Sequence, residues 1–261
     1  MGTAAKLSAP DRAFVLHGYP YRETSLVAEL FTARHGRLPV VAKGAKRPGS
    51  KLRAVLLTLQ PLEVVWSGRG EVRTLTQAHW VPGQAWLTGR ALLCGLYLNE
   101  LILKLLPRED PHPHLFEAYA AALLTLGELG QDAEQAAVLR DFEVTLLAEL
   151  GYGLELRHDV ITGEPLRADA LYRYHPLRGP SREGSGEVVS GAVLLALAEG
   201  RFASPTLAEE ARRFVRRIID MHLEWRRLRS ADVAAELRDL AFRLETTSPV
   251  RRRSKTEGLH T

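Results

Sequence analysis

Only one cysteine occurs in 261 residues. No disulfide framework can form, no zinc site can rest on several thiolates, and Cys94 suits a reducing compartment. Long apolar runs are also missing. The most hydrophobic stretch, residues 91–106, is interrupted by Asn99, Glu100 and Lys104. It falls short of the roughly 20 apolar residues that span a bilayer and reads as a buried helix. Residues 1–10 carry one lysine and no apolar segment, so no secretory signal is expected and the cytoplasm is the expected location. There is no Walker lysine motif to support nucleotide hydrolysis and no Gly-x-Ser-x-Gly elbow to support a serine nucleophile.

Acidic residues are scarce at one end of the chain. The net charge is +4, but residues 1–80 hold 12 basic and 5 acidic side chains, residues 81–200 hold 9 and 17, and residues 201–261 hold 14 and 9. Local field attracts phosphates more than total charge does, so the first segment is the candidate polyanion surface.

Residues 12–78 read as short β runs at 13–17, 24–32, 37–42, 55–66 and 71–78 with turn residues between them. Five strands in so short a span predict a small barrel, either an oligonucleotide-binding (OB) fold or an SH3-like one. After Pro82 the period becomes helical. Helices are predicted at 87–106, 115–129, 133–150, 191–199, 206–223 with a Thr206/Glu209 capping box, and from Ser230 to about 245. The fold class is therefore α+β. A flexible start (1–11) leads into the barrel domain (12–80) and a helical domain (81–245), which contains an irregular insert (157–187) rich in Gly, Pro and charge. A basic tail (246–261) with too little apolar content to fold completes the chain.

Between Leu30 and Leu62 seven basic residues, Arg34, Arg37, Lys43, Lys46, Arg47, Lys51 and Arg53, occur without a carboxylate. A basic loop between strands can follow a phosphate backbone without reading sequence, whereas a merely solvated loop ordinarily mixes both signs. Tyr19, Tyr21, Phe31 and Trp66 are the aromatic candidates for base stacking. Packing is the expected role for Phe31 and Trp66, and a turn about Pro20 is expected to carry the two tyrosines. The Gly68-Arg69-Gly70-Glu71 turn precedes a strand, not a helix, which fails the phosphate-loop context and leaves a hairpin turn bearing one cation. Asp110, His112 and His114 have a spacing that could gather on a metal, but no third firm ligand follows, and capping or solvation is the expected role. On the later helices Arg140 sits among apolar neighbours. Arg213 shares a face with Arg217, as Arg212 does with Arg216. These are either a basic rim suited to an acidic, apolar peptide or surface arginines paired with Glu209, Glu210 and Asp220.

Six segments, in this order and spacing, resemble the bacterial RecO family of recombination mediators: Ala13-Phe-Val-Leu-His-Gly, Tyr21-Arg-Glu-Thr-Ser-Leu26, Val41-Ala-Lys-Gly-Ala-Lys46, Gly68-Arg-Gly-Glu-Val-Arg-Thr-Leu75, Gly95-Leu-Tyr-Leu-Asn-Glu-Leu101, and Leu139-Arg-Asp-Phe-Glu143 with Leu150-Gly-Tyr-Gly. The resemblance implies an N-terminal OB barrel and a C-terminal helical domain in a protein that is not an enzyme and needs no cofactor. Such a protein binds single- and double-stranded DNA and anneals complementary strands without ATP. The partners it implies are RecR, the acidic C-terminal tail of single-stranded DNA-binding protein (SSB) and, indirectly, RecA; no membrane is involved. An adaptor that recruits SSB with DNA contact secondary is the alternative. Carried over by residue, the DNA face is Arg34, Arg37, Lys43, Lys46, Arg47, Lys51, Arg53 and Arg69, and the SSB-tail groove is Arg140, Arg213, Arg216 and Arg217. Asp220 places an unhelpful carboxylate in that groove helix. Many relatives carry a four-cysteine zinc module after Leu-Gly-Tyr-Gly. Here Asp159 and Thr162-Gly163 occupy the matching places, so residues 157–187 are expected to be a metal-free remnant.

Overall fold

The structure, a computed structural model, describes residues 7–129, 132–223 and 228–230. Five strands, β1 (Asp11–Tyr21), β2 (Ser25–Thr32), β3 (Gly36–Ala42), β4 (Pro61–Ser67) and β5 (Arg73–Trp80), close into a barrel in the order β1-β2-β3-β5-β4. All pairings are antiparallel except β3 with β5. This closure is the OB arrangement. Side-chain alternation creates it: Ala28, Leu30, Leu38, Val40, Leu62 and Val64 are fully buried inside the barrel. The uninterrupted strand expected over 55–66 is replaced by a short helix, α1 (Lys51–Val55), and a later strand start at Pro61. Leu52, Val55 and Leu56 recur at helical spacing and pack on the barrel core. Proline, lacking an N–H, suits the first position of β4. Leu7 and Ser8, expected in a flexible lead, run along β4, where Ser8 N donates to Trp66 O at 2.8 Å.

The helical layer comprises α2 (Gly89–Leu105), α3 (Pro113–Glu128), α4 (Asp132–Glu149), α5 (Gly191–Glu199) and α6 (Pro205–His222). The cap of α6 is Ser204, whose hydroxyl accepts from Leu207 N at 3.1 Å, with Pro205 at the first helical position. The predicted Thr206/Glu209 box is therefore not the cap, because the proline starts the helix earlier. Beyond Ser230, the helix expected to about 245 and the tail 246–261 lie outside the described residues.

One apolar core runs from the barrel wall into the helices. Phe14, Leu16 and Phe31 on the outer barrel face meet Leu98, Leu101 and Ile102 of α2 and Phe116 and Tyr119 of α3. Phe14 stands edge-on to Tyr119 at 5.0 Å, and Phe31 lies 5.4 Å from Phe116. A bulge between Val15 and His17 takes Leu16 out of the β1–β2 ladder. Its carbonyl accepts instead from Asn99 Nδ2 at 2.9 Å, and the Tyr119 hydroxyl donates to the Asn99 oxygen. Burial pushes the Tyr119 phenol far above its ordinary pKa, so it remains a neutral donor.

Residues 157–187, expected to be irregular, are ordered. They contribute to a three-stranded sheet, β6 (Leu171–His175), β7 (Gly179–Ser181) and β8 (Glu187–Ser190), in the order β7-β6-β8. Tyr172, Tyr174 and Val189 anchor it in the main core. Asp159, buried, is its hub: Oδ1 accepts from Ile161 N (2.9 Å) and Thr162 N (3.2 Å), and Oδ2 from Arg182 N (2.9 Å). Burial alone would raise the Asp159 pKa. Donation from Ile161, Arg182 and Thr162, with help from Ser181, outweighs burial and holds it below the ordinary carboxylate value.

Two outcomes are expected from these networks. Asp159→Ala, which strands three amide donors, should cost about 3 kcal/mol in urea unfolding. Because the folded pKa is depressed, the carboxylate's contribution is complete above the unfolded value of about 3.9 and fades as pH falls through the folded value. The gap to wild type should therefore narrow in acid. Asn99→Leu, which leaves the Leu16 carbonyl and Tyr119 hydroxyl buried without partners, should likewise lower stability by about 3 kcal/mol.

Candidate nucleic-acid interface

Strand direction sorts the basic residues before any contact is considered. The β1–β2 tip (22–24), the turn after β3 (43–50) and the β4–β5 turn (68–72) share one end of the barrel, while the β2–β3 turn (33–35) lies at the other. Lys43, Lys46, Arg47 and Arg69 thus gather at one end, with Arg34 and Arg37 at the opposite one. Lys51 and Arg53 project from α1.

The Arg34 and Arg37 end is internally neutralised. Asp11, buried, accepts from Arg34 Nε at 3.2 Å and sits 2.7 Å from His35 Nδ1. Glu29, also buried, is gripped by Arg108 through two 2.9 Å bonds and lies 3.6 Å from Arg37 Nε. Burial depresses the Arg37 pKa, opposed by the Glu29 charge and reinforced by Arg108. Arg37 also donates to Leu103 O at 2.5 Å. A helical-layer loop closes over this end, with Glu109 N donating to Arg37 O at 2.8 Å. Gly36 is required there: a Cβ would lie 2.0 Å from the Asp110 carbonyl oxygen.

The other end is open. Lys43, Lys46, Arg47 and Arg69 are exposed and form no ion pair among the described residues. Lys46 N donates to Thr24 O at 2.8 Å, fastening the basic turn to the β1–β2 tip. Between them lies an open groove lined by Tyr21, Arg22, Val41, Lys43 and Arg47, with Glu23, Thr24, Ser25 and Gly44. Tyr19 and Tyr21 are placed in β1, not in the expected turn, because Pro20 is accommodated in the β1–β2 ladder. They are 50% and 38% exposed, and both occupy the same outer face by the two-residue strand period. Arg22, which the sequence reading missed, sits over the Tyr21 ring at 5.2 Å with φ of 51°. Its signal was its place in the tightest turn of the first strand pair. Phe31 and Trp66 are buried, in packing roles as expected.

The arginines predicted to line a peptide groove are all paired within the chain. Arg140 is 5% exposed and doubly bonded to Glu143 at 2.6 and 2.5 Å. Burial opposes the Arg140 charge, and Glu143 outweighs it to raise the pKa. The Tyr97 hydroxyl also donates to Glu143 at 2.6 Å. Arg213 lies 3.9 Å from Glu209, Arg216 is 2.8 Å from Asp220, and Arg217 contacts Glu187 of β8. Arg212 takes Glu209 as well. His112 and His114 each approach Glu149, at 3.2 and 3.1 Å, joining the start of α3 to the end of α4. Among the described residues no group of three or more His, Cys, Asp or Glu could hold a metal, and no helix is long and apolar enough to cross a membrane.

Two family models cover most of the chain: Recombination protein O N terminal over residues 8–83 and Recombination protein O C terminal over residues 87–232. The DNA repair protein RecO of Azoarcus sp. (strain BH72) is 51% identical over 235 residues, covering 87% of this chain and 96% of that protein. Those of Aromatoleum aromaticum and Ralstonia nicotianae are 47% and 46% identical, each over 87% of this chain and over 95% and 84% of their own lengths. With a barrel and a helical layer that each match their half of the family, the chain belongs to the RecO family.

Proposed function

We propose that this protein is a DNA repair and recombination mediator that binds single- and double-stranded DNA on the open end of its barrel and anneals complementary strands without ATP. The observation that carries this reading is the gathering of Arg22, Lys43, Lys46, Arg47 and Arg69 beside exposed Tyr19 and Tyr21. Cations with no ion pair among the described residues can take phosphates, and the rings offer bases a sequence-tolerant stacking face. Cationic neutralisation of two strands in turn lowers their repulsion and lets bases meet. Cooperation with RecR and loading of RecA on SSB-coated strands extend this proposal through the family membership.

Ion pairing within the chain supports a ranking of the proposed DNA face. Lys43, Lys46, Arg47 and Arg69 are the primary phosphate contacts, Lys51 and Arg53 lie on α1, and Arg34 and Arg37 serve the barrel's own carboxylates. For the SSB tail, Arg140, Arg213, Arg216 and Arg217 remain the proposed seat. Glu143 holds the position that a peptide carboxylate would take against Arg140. Tail binding on this route requires displacement of Glu143, and this favours the DNA-first reading over an adaptor whose main task is recruitment.

With about five phosphates contacted, log affinity for a single strand should fall against log salt with slope roughly −3.5, and Lys43→Ala with Arg47→Ala should bring it to about −2. The loss should be similar for oligothymidylate and mixed sequences. Arg34→Gln should leave the slope unchanged; a slope insensitive to the Lys43 and Arg47 pair would reject the groove. For the tail, Glu143→Gln should tighten binding of an SSB-tail peptide in fluorescence anisotropy. Unchanged affinity would remove Arg140 from the peptide site. Breaking this buried pair from either side costs about 3–5 kcal/mol, so urea unfolding must show that Glu143→Gln folds before its tail affinity is compared.

A further inference from the structure

A second aromatic and basic surface lies at the junction of barrel and helices, away from the open groove. Trp80, the last residue of β5, and Trp86, just before α2, are 47% and 57% exposed. Their rings meet edge to face at 6.0 Å. Trp80 is held by its Nε1, which donates to the Val55 carbonyl at 2.9 Å. This fixes it against the end of α1. That helix carries Lys51 and Arg53, both exposed and without an ion pair among the described residues. Two exposed tryptophans in contact are an unusual use of apolar surface, since such rings are normally buried or placed at binding sites.

Behind Trp86 opens a cleft of about 280 Å³, lined among the described residues by Leu87, Thr88, Leu126 and Gln135, with others. Gln135 is 5% exposed, and its Oε1 has no hydrogen-bond partner among the described residues. A buried acceptor left unmade costs free energy that a donor-bearing ligand recovers. The site therefore combines a flat aromatic lip, a buried acceptor at the cleft wall and two cations on the adjoining helix.

We propose that the Trp80–Trp86 ledge and the cleft behind it seat a second single strand of nucleic acid, with one unpaired base stacked on Trp86 and its N–H directed at Gln135 Oε1. Lys51 and Arg53 take the flanking phosphates. Every base has a π face and an N–H donor, so the seat tolerates sequence. An acidic peptide would meet the same cations but would leave the aromatic faces unstacked. The inference rests on the proposed DNA reading of the barrel groove and adds to it a separate place for the partner strand in annealing.

The test uses the full chain with two differently labelled, non-complementary 20-nucleotide strands for stoichiometry, and a complementary pair for annealing rate. Wild type should hold two strands. Trp86→Ala should hold one, keep its first-strand affinity within about twofold, and anneal roughly five- to 150-fold more slowly, the span that stacking of one base is worth. Trp86→Phe should restore most of the rate, because it keeps a ring. Circular dichroism and urea unfolding confirm that the variants fold. Two bound strands and wild-type annealing in the Trp86→Ala variant would overturn the proposal, as would loss of acidic-peptide binding with both DNA readouts intact. If Lys43→Ala with Arg47→Ala retains full first-strand affinity, the groove reading fails by a different pattern, and the second-strand assignment falls with it.

Discussion

The packing of Phe14 and Phe31 against Phe116 and Tyr119 decides what the rest of the molecule can do. Part of the outer face of β1 and β2 is core: Phe14, Leu16 and Phe31 are shared with the helices. Removing one such ring typically costs about 3–5 kcal/mol, so the joint between barrel and helices is not a hinge. It requires a bulge at Leu16, which frees a carbonyl that Asn99 then takes up. Covering the Phe14 and Phe31 half confines any ligand on this face to the half that carries Tyr19, Tyr21 and the basic turn. Packing between domains, rather than the groove itself, sets the position of the candidate DNA surface.

Buried carboxylates make the second selection. Asp11, Glu29 and Glu143 are nearly inaccessible, and each is paired with at least one arginine. A charge withdrawn from water is tolerated only when paired and hydrogen-bonded. Arg34, Arg37, Arg108 and Arg140 are therefore committed to the fold before any partner arrives. The cations left on turns, whose neighbours are glycine, serine and proline, have no such obligation. Counting basic residues between Leu30 and Leu62 could not reveal this, because Asp11 and Glu29 lie outside that window in sequence and beside it in space.

Periodicity carried most of the architecture. Alternation in Leu26–Leu30 and the helical recurrence after Pro82 place strands and helices close to their observed bounds, and Gly200 ends α5 in the left-handed conformation. Failures came where tertiary contacts overrule local pattern. Leu52, Val55 and Leu56 looked like the start of a strand but wrap as a helix on the barrel core. Pro20 signalled a turn, yet β1 continues through it and sets Tyr19 and Tyr21 side by side on its outer face. For the site, the residue types were legible but their partners were not. Nothing in the spacing of Trp80 and Trp86 tells an exposed ring from a buried one.

The insert shows how one buried carboxylate can organise a segment that holds no cysteine. Asp159 gathers amide donors from Ile161, Thr162 and Arg182, joining residues that are 23 apart in sequence. A metal-held module depends on ligand thiolates and on metal supply; a carboxylate hub depends only on remaining ionised. The order so gained reaches further than the insert. β8 delivers Glu187 to Arg217 of α6, while Arg216 and Arg213 on the same helix take Asp220 and Glu209. With Arg140 held by Glu143 one turn along α4, the four candidate peptide-binding arginines are tied to three separate parts of the fold. An acidic tail docked at these arginines would therefore compete with the protein's own carboxylates at each position, and its affinity would reflect the difference between two ion-pair sets rather than the strength of either.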